Sequence, residues 1–195
     1  MKAETEIGTE KEDRKRSDGV YREVFEMIFY MVFVVVATLL VIRFVGQRTE
    51  VSGHSMENTL SDRDNLIVDK ITYRFRDPKR YDIIVFPYKY KENTFYIKRI
   101  IGLPGETVQI TEEGDILIDG EVLEESYGKE VMKSPGIAAD PILLGADEYF
   151  VLGDNRNASA DSRDPSVGII SGEDIVGRAW LRIWPLNKFG ILKHQ

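Results

Sequence analysis

The chain has 195 residues, carries 33 acidic against 26 basic side chains for a net charge of -7, and contains no cysteine. That length holds one domain with a real core and little more. The missing cysteine excludes a disulfide framework, a zinc-thiolate centre and a cysteine nucleophile. The acidic balance argues against general nucleic-acid binding, which wants a concentrated basic surface.

Residues 1–22 are dominated by Glu, Lys, Arg, Asp, Thr and Gly, the composition of a disordered tail. The segment 23–45 is apolar from Met27 to Ile42 and extends to Val45 across Arg43, with Tyr30 and Thr38 as interior polar groups. This approaches the roughly 20 residues that a helix needs to cross a bilayer. Arg43 is close enough to the end to reach the headgroup zone. A core helix this apolar on every side would need a large protein around it, and Phe44-Val45-Gly46-Gln47-Arg48 offers a poor cleavage signature. An uncleaved membrane anchor is therefore predicted. Lys11, Arg14, Lys15, Arg16 and Arg22 precede the span, against Arg43 and Arg48 after it. That bias puts the N-terminus in the cytoplasm and residues 46–195 outside the cell membrane.

Beyond the span, short apolar segments alternate with turn signals at Asn65–Asp69, Asp82–Pro87, Thr94–Ile101, Thr107–Thr111, Asp115–Asp119, Glu121–Glu124, Glu148–Leu152 and Asp174–Trp184. Their spacing and their Val, Ile, Tyr and Phe content predict a mainly β, mostly antiparallel domain over 46–195. Asp119-Gly120 suits a two-residue hairpin, and Leu103-Pro104-Gly105-Glu106 a type II turn. Residues 125–146, broken by Gly128, Pro135, Gly136 and Pro141, read as a loop, either a flap or a dispensable insertion. Trp180 and Trp184 share a face of the last long strand. That face either meets the lipid interface or fills the core.

Three segments carry candidate chemistry. Ser55 lies in Ser52-Gly53-His54-Ser55-Met56-Glu57-Asn58-Thr59-Leu60, among small residues that let another backbone approach. His54 is a neighbour whose side chain in extended backbone points away from Ser55, and His194 lies next to the terminus, so a lysine is the remaining base. In the strand Thr94–Ile101, Lys98 shares a face with Tyr96 and Ile100. A lysine on an apolar face loses hydration, which lowers its pKa toward what a general base requires. The third segment is Gly153-Asp154-Asn155-Arg156-Asn157-Ala158-Ser159-Ala160-Asp161-Ser162-Arg163. Its ligand spacing does not fit a calcium loop, so no metal or cofactor is expected. A hydrogen-bonded network is predicted instead, with Asp161 paired to Arg163 and Ser159 available to hold the lysine amine.

These three boxes, in this order behind one span, resemble the bacterial type I signal peptidases, most nearly the compact Gram-positive form. The resemblance covers residues 25–190 and implies an antiparallel β catalytic domain behind one transmembrane helix. It implies Ser55 as nucleophile, Lys98 as general base, Ser159 as the residue orienting the lysine, and Asp154, Arg156, Asp161 and Arg163 as supports. Two positions depart from the pattern: Asn58 replaces a usual proline, which is expected to loosen the turn, and Gly53 replaces the hydroxyl that assists the oxyanion in the two-span form. The Ser55 backbone N–H, with help from the Gly53 backbone, is the expected oxyanion site.

The implied substrates are exported preproteins with small residues at the first and third positions before the cut, as in Ala-x-Ala. They would lie as an added strand over a shallow pocket of Val51, Met56, Leu60, Tyr96 and Ile97. Two alternatives remain at this stage: a Ser-Lys peptidase dedicated to a narrow class of surface proteins, and an anchored β-domain that binds exported peptides without cutting them.

Overall fold

The computed structural model describes residues 2–44 and 46–192, with side chains described from residue 21 onward except at 42 and 44. Val45, the last residue of the expected span, and His194 lie outside the described residues. The chain divides into two units, Met1–Phe44 and Val45–Gln195.

The first unit is one helix, α1 (Lys2–Phe44). Its stretch Tyr21–Val41 is 21 residues long and wholly unburied within the protein, about 30 Å of helix at 1.5 Å per residue, which matches the hydrocarbon thickness. The consecutive residues Met27, Ile28, Phe29, Tyr30, Met31, Val32 and Phe33 circle the helix at 100° per residue and are all exposed. The Thr38 hydroxyl within this stretch donates to the Val34 carbonyl at 2.8 Å and so needs no outside partner. The helix begins at Lys2, where the composition predicts a disordered tail over 1–22. Glu, Lys and Arg lose little rotamer freedom in a helix, and the apolar run behind them supplies the costly helix nucleus.

Among the described residues the second unit has twelve strands: β1 (Gly46–Glu50), β2 (Asn65–Asp69), β3 (Ile83–Pro87), β4 (Phe95–Gly102), β5 (Thr107–Ile110), β6 (Ile116–Ile118), β7 (Glu121–Val122), β8 (Ile142–Leu143), β9 (Glu148–Leu152), β10 (Ile170–Ser171), β11 (Gly177–Trp184) and β12 (Gly190–Ile191). The larger sheet runs β1-β2-β11-β3-β4-β9-β10, with β12 on β11; the smaller runs β7-β6-β5-β8. Every pairing is antiparallel.

The predicted turns form. Asp119 and Gly120 take φ of 52° and 86° between β6 and β7. Gly105 takes φ 81° in a turn closed by Glu106 N–H to the Leu103 carbonyl at 3.1 Å. Part of the irregular stretch 125–146 becomes a short 3-10 turn (Gly136–Ala139) and the edge strand β8.

Both faces of β4 are covered. Ile97 belongs to a cluster with Val51, Met56, Leu60, Val68 and Val85. Ile101 packs with Val108, Phe150 and Leu152, and Ile100 with Ile84, Phe86 and Val151. This double burial dehydrates the polar side chains that β4 carries, Lys98 and Arg99. Trp180 and Trp184 are exposed rather than internal, as are Leu186, Phe189 and Ile191 near them in sequence.

Candidate active site

Lys98 sits at the centre of β4, opposite Ile84 of β3. Only 4% of it is exposed. Burial pushes its pKa down to about 8, against a partial upward pull from the carboxylates of Asp161 and Asp154. Its Nζ donates to Ser55 Oγ at 2.8 Å and to the Ile97 carbonyl at 3.0 Å. The Tyr96 ring, which shares its face, lies with its centroid 4.9 Å from Nζ and stacks on Tyr88.

Ser55 reaches Lys98 because the connection between β1 and β2 is closed at its base and folded back. Val51 N–H donates to the Asp64 carbonyl at 2.8 Å, and Arg63 N–H to the Val51 carbonyl at 2.9 Å. Inside that loop Met56 and Leu60 drop into the cluster with Val85 and Ile97, fixing the turn that begins at Ser55. This turn is not extended backbone. His54 is turned away nonetheless: its Nδ1 lies 2.7 Å from Glu57 Oε1 and its side chain is 65% exposed.

Asn58 closes the turn with φ 97°. Asparagine tolerates the left-handed region, whereas a proline, held near -65°, could not occupy it. The departure at 58 thus belongs to a turn of different shape rather than a looser one.

The third segment follows β9, which pairs with β4 so that Leu152 faces Arg99. Two residues on, Asp154 receives two hydrogen bonds from Arg99, at 2.8 and 2.7 Å, with both side chains fully buried. Asn155 N–H donates to the Ser55 carbonyl at 3.0 Å, and its Nδ2 to the His54 carbonyl at 3.1 Å. Asp161 takes Arg163 Nε at 2.8 Å and Nη2 at 2.9 Å, and accepts from Gly153 N–H at 3.1 Å. Arg156 donates to the Gly153 carbonyl at 3.0 Å and pairs with Glu125 at 2.8 Å. Buried pairs of this kind resist loss of one partner, at a cost of about 3–5 kcal/mol. They fix the loop against which the Ser55 backbone rests.

The structure therefore brings Ser55, Lys98, Asp154, Arg156, Asp161 and Arg163 into one connected network. Three expectations come out differently. Ser159 Oγ is buried and bonded to nothing, so it does not hold the lysine amine in this conformation. It packs instead on Gly153, where a Cβ would collide with Ser159 and lie 2.5 Å from the Ser55 carbonyl oxygen. Gly53 N–H is engaged by Asp62 at 2.8 Å, because φ 96° turns it into the loop.

Third, Val51, Met56 and Leu60 are buried core residues rather than pocket walls, and Ile97 is 9% exposed. A mainly apolar hollow of about 170 Å³ is lined by Gln47, Arg48, Thr49, Val68, Val85, Phe95 and Val176, of which Phe95 begins the strand that carries Lys98. The sequence reading missed Arg99 and Thr59, whose hydroxyl donates to Asp154 and accepts from Arg99 Nη2 at 3.1 Å. An arginine flanked by Ile97, Ile100 and Ile101 was the available signal, since burial there demands a carboxylate partner.

No group of His, Cys, Asp or Glu suited to holding a metal ion occurs among the described residues.

Comparison with known proteins adds to this geometry. Residues 24–184 match the family described as "Signal peptidase, peptidase S26". The chain is 44% identical over 165 residues to "Signal peptidase I" of Leptolyngbya laminosa, covering 81% of this chain and 78% of that protein. It is 39% identical over 167 residues to "Probable signal peptidase I-2" of Synechocystis, covering 83% and 74%. Against "Signal peptidase I P" of Bacillus subtilis subsp. natto it is 34% identical over 186 residues, covering 92% and 96%.

Proposed function

The chain belongs to the signal peptidase family, peptidase S26, and from that premise we propose that it is a membrane-bound serine endopeptidase acting through a Ser55–Lys98 dyad. The observation that carries the reading is the 2.8 Å contact between Lys98 Nζ and Ser55 Oγ in a site dry enough to bring the lysine pKa to about 8.

Neutral Lys98 accepts the Ser55 proton as Oγ bonds to the scissile carbonyl carbon. The tetrahedral intermediate collapses, the C–N bond breaks, and the leaving amine takes that proton from Lys98. A water then gives a proton to Lys98 as its oxygen attacks the acyl ester; the bond from the acyl carbon to Oγ breaks, Lys98 returns that proton to Oγ to restore the Ser55 hydroxyl, and the released acid gives its proton to solvent.

The oxyanion donor in this reading is the Ser55 N–H, which has no protein acceptor among the described residues. The Gly53 N–H, committed to Asp62, is not retained as its helper.

Substrates are exported preproteins with small residues before the cut. The apolar hollow of about 170 Å³ beside β4 suits a small aliphatic side chain from a strand laid along the site. The charge bias around α1 supports a cytoplasmic N-terminus and an extracytoplasmic catalytic unit.

The test is cleavage of an Ala-x-Ala preprotein by the detergent-solubilised full chain. Ser55→Ala and Lys98→Ala are each expected to lower the rate at least about a thousandfold. The wild-type rate should climb through pH 8 and level off above it, as Lys98 loses its proton. If both variants act on preproteins as the wild type does, binding without cleavage is the correct account.

A further inference from the structure

Residues 125–129 fall in the stretch whose composition predicts a flap or a dispensable insertion. In the fold this run touches both segments that flank Ser55 and Lys98. Toward the Ser55 loop, Lys129 Nζ pairs with Glu57 at 2.7 Å, and Asn58 Nδ2 donates to the Tyr127 carbonyl at 3.4 Å. Toward the loop after β9, Lys129 N–H donates to the Asp154 carbonyl at 2.8 Å, and Glu125 pairs with Arg156 at 2.8 Å. Between these anchors the Tyr127 ring lies over the Arg99 guanidinium, with centroid and Cζ 3.6 Å apart, and Tyr81 packs on that ring at 5.1 Å.

Arg99 follows Lys98 on β4 and spends its in-plane donors on Asp154, on the Tyr81 carbonyl and on Thr59. Hydrogen bonds in the plane leave the flat faces of a guanidinium uncovered. An aromatic face is the group that covers one without competing for the donors.

We propose that Tyr127 is a positioning residue, which caps the Arg99–Asp154 pair against water and, through the 125–129 run, holds the Ser55 loop at bonding distance from Lys98. This rests on the reading of Ser55 and Lys98 as nucleophile and base. Asp154 and Asp161 act electrostatically on Lys98, Arg99 opposes Asp154 from the same strand, and the Tyr96 ring faces the amine. Water admitted beside Arg99 lowers the cost of charging Lys98, so loss of the cap moves the alkaline rise in rate to higher pH.

The experiment is steady-state cleavage of an Ala-x-Ala preprotein by the full chain in detergent across the neutral and alkaline range. The proteins are wild type, Tyr127→Phe, Tyr127→Met, Lys129→Met, Val131→Ala and Ser55→Ala. Val131, 75% exposed, is the control and is expected to match wild type. Tyr127→Phe keeps the ring face and is expected to retain wild-type kcat. Tyr127→Met fills similar space without the face, and kcat is expected to fall about tenfold, or about 1.4 kcal/mol of barrier, with KM unchanged and the pH rise displaced upward.

Wild-type kcat and pH profile in Tyr127→Met overturn the proposal, as does a change confined to KM. Should that variant fail to fold, Lys129→Met decides. It cuts the tie to Glu57 at the surface and is expected to lower kcat about threefold; wild-type kcat there overturns the proposal. Cleavage by Ser55→Ala refutes the nucleophile whatever the Tyr127 variants do, whereas an inactive Ser55→Ala beside a silent Tyr127→Met refutes the positioning role alone.

Discussion

Replacing Lys98 by methionine should expose the energetic cost of keeping an amine inside β4. Lys98 has a pKa of about 8 in the folded chain against an ordinary 10.5. The folded protein therefore releases this proton more easily than the unfolded chain does. Between those two values the unfolded chain holds a proton that the folded one has lost, so raising the pH favours folding there. The cost is fully present below pH 8 and is removed as the pH climbs to 10.5.

At about 1.4 kcal/mol per pH unit the interval amounts to about 3 kcal/mol. Methionine matches the lysine stem but does not titrate. It leaves Ser55 Oγ and the Ile97 carbonyl without a donor, a penalty of about 1–3 kcal/mol for each group that stays dry. That penalty shifts the whole curve and leaves its slope alone.

The assay is urea denaturation of wild type and Lys98→Met in the same detergent, followed by fluorescence of the two tryptophans, Trp180 and Trp184. Titrations common to both proteins cancel in the difference. The wild type is expected to gain about 3 kcal/mol relative to the variant from pH 8 to 10.5. A flat difference would mean that Lys98 keeps its ordinary proton affinity, and the argument from desolvation to catalysis would fail with it.

Gly153→Ala should cut cleavage about a hundredfold, because its Cβ would push on Ser159 and on the Ser55 carbonyl, and a displacement of about 1 Å at a reacting group costs that much; single-turnover rates with unchanged substrate binding would check it. Asn58→Pro should destabilise the unit by about 3 kcal/mol or more, since the ring cannot adopt φ 97°, while Asn58→Gly should leave the melting midpoint nearly unchanged. In proteoliposomes, lipids brominated near the headgroup should quench the tryptophan fluorescence, because Trp180 and Trp184 are both exposed beside Leu186 and Ile191; unquenched emission would leave that face in water.

The elements that announced themselves in the sequence are those whose side chains alone carry the pattern. β2, β3, β4 and β9 are dense in Val, Ile and Phe, and Asp119-Gly120 names its own turn. By contrast β1, with the sequence Gly46-Gln47-Arg48-Thr49-Glu50, has no apolar alternation and is a strand because β2 offers it a complete ladder. β8, β10 and β12 are two residues each, too short for any periodicity to register. The same division runs through the site. Ser55 and Lys98 were legible because a chain without cysteine, with one histidine turned aside, leaves few ways to activate a hydroxyl. Tyr127 was not, since its meaning depends on a guanidinium 28 positions earlier in the chain.

The sequence by itself determined a membrane-length apolar helix, an antiparallel β unit behind it, and a serine and a lysine with no competing base, because apolar periodicity and residue inventory are local properties. Only the tertiary structure decided that the β1–β2 loop folds back to bring Ser55 onto Lys98, that Gly53 N–H is taken by Asp62, and that Val51, Met56 and Leu60 are core. Those outcomes depend on which segments meet across the sheet. Burial and hydrogen-bond competition are settled by that meeting, and no single stretch of chain encodes it.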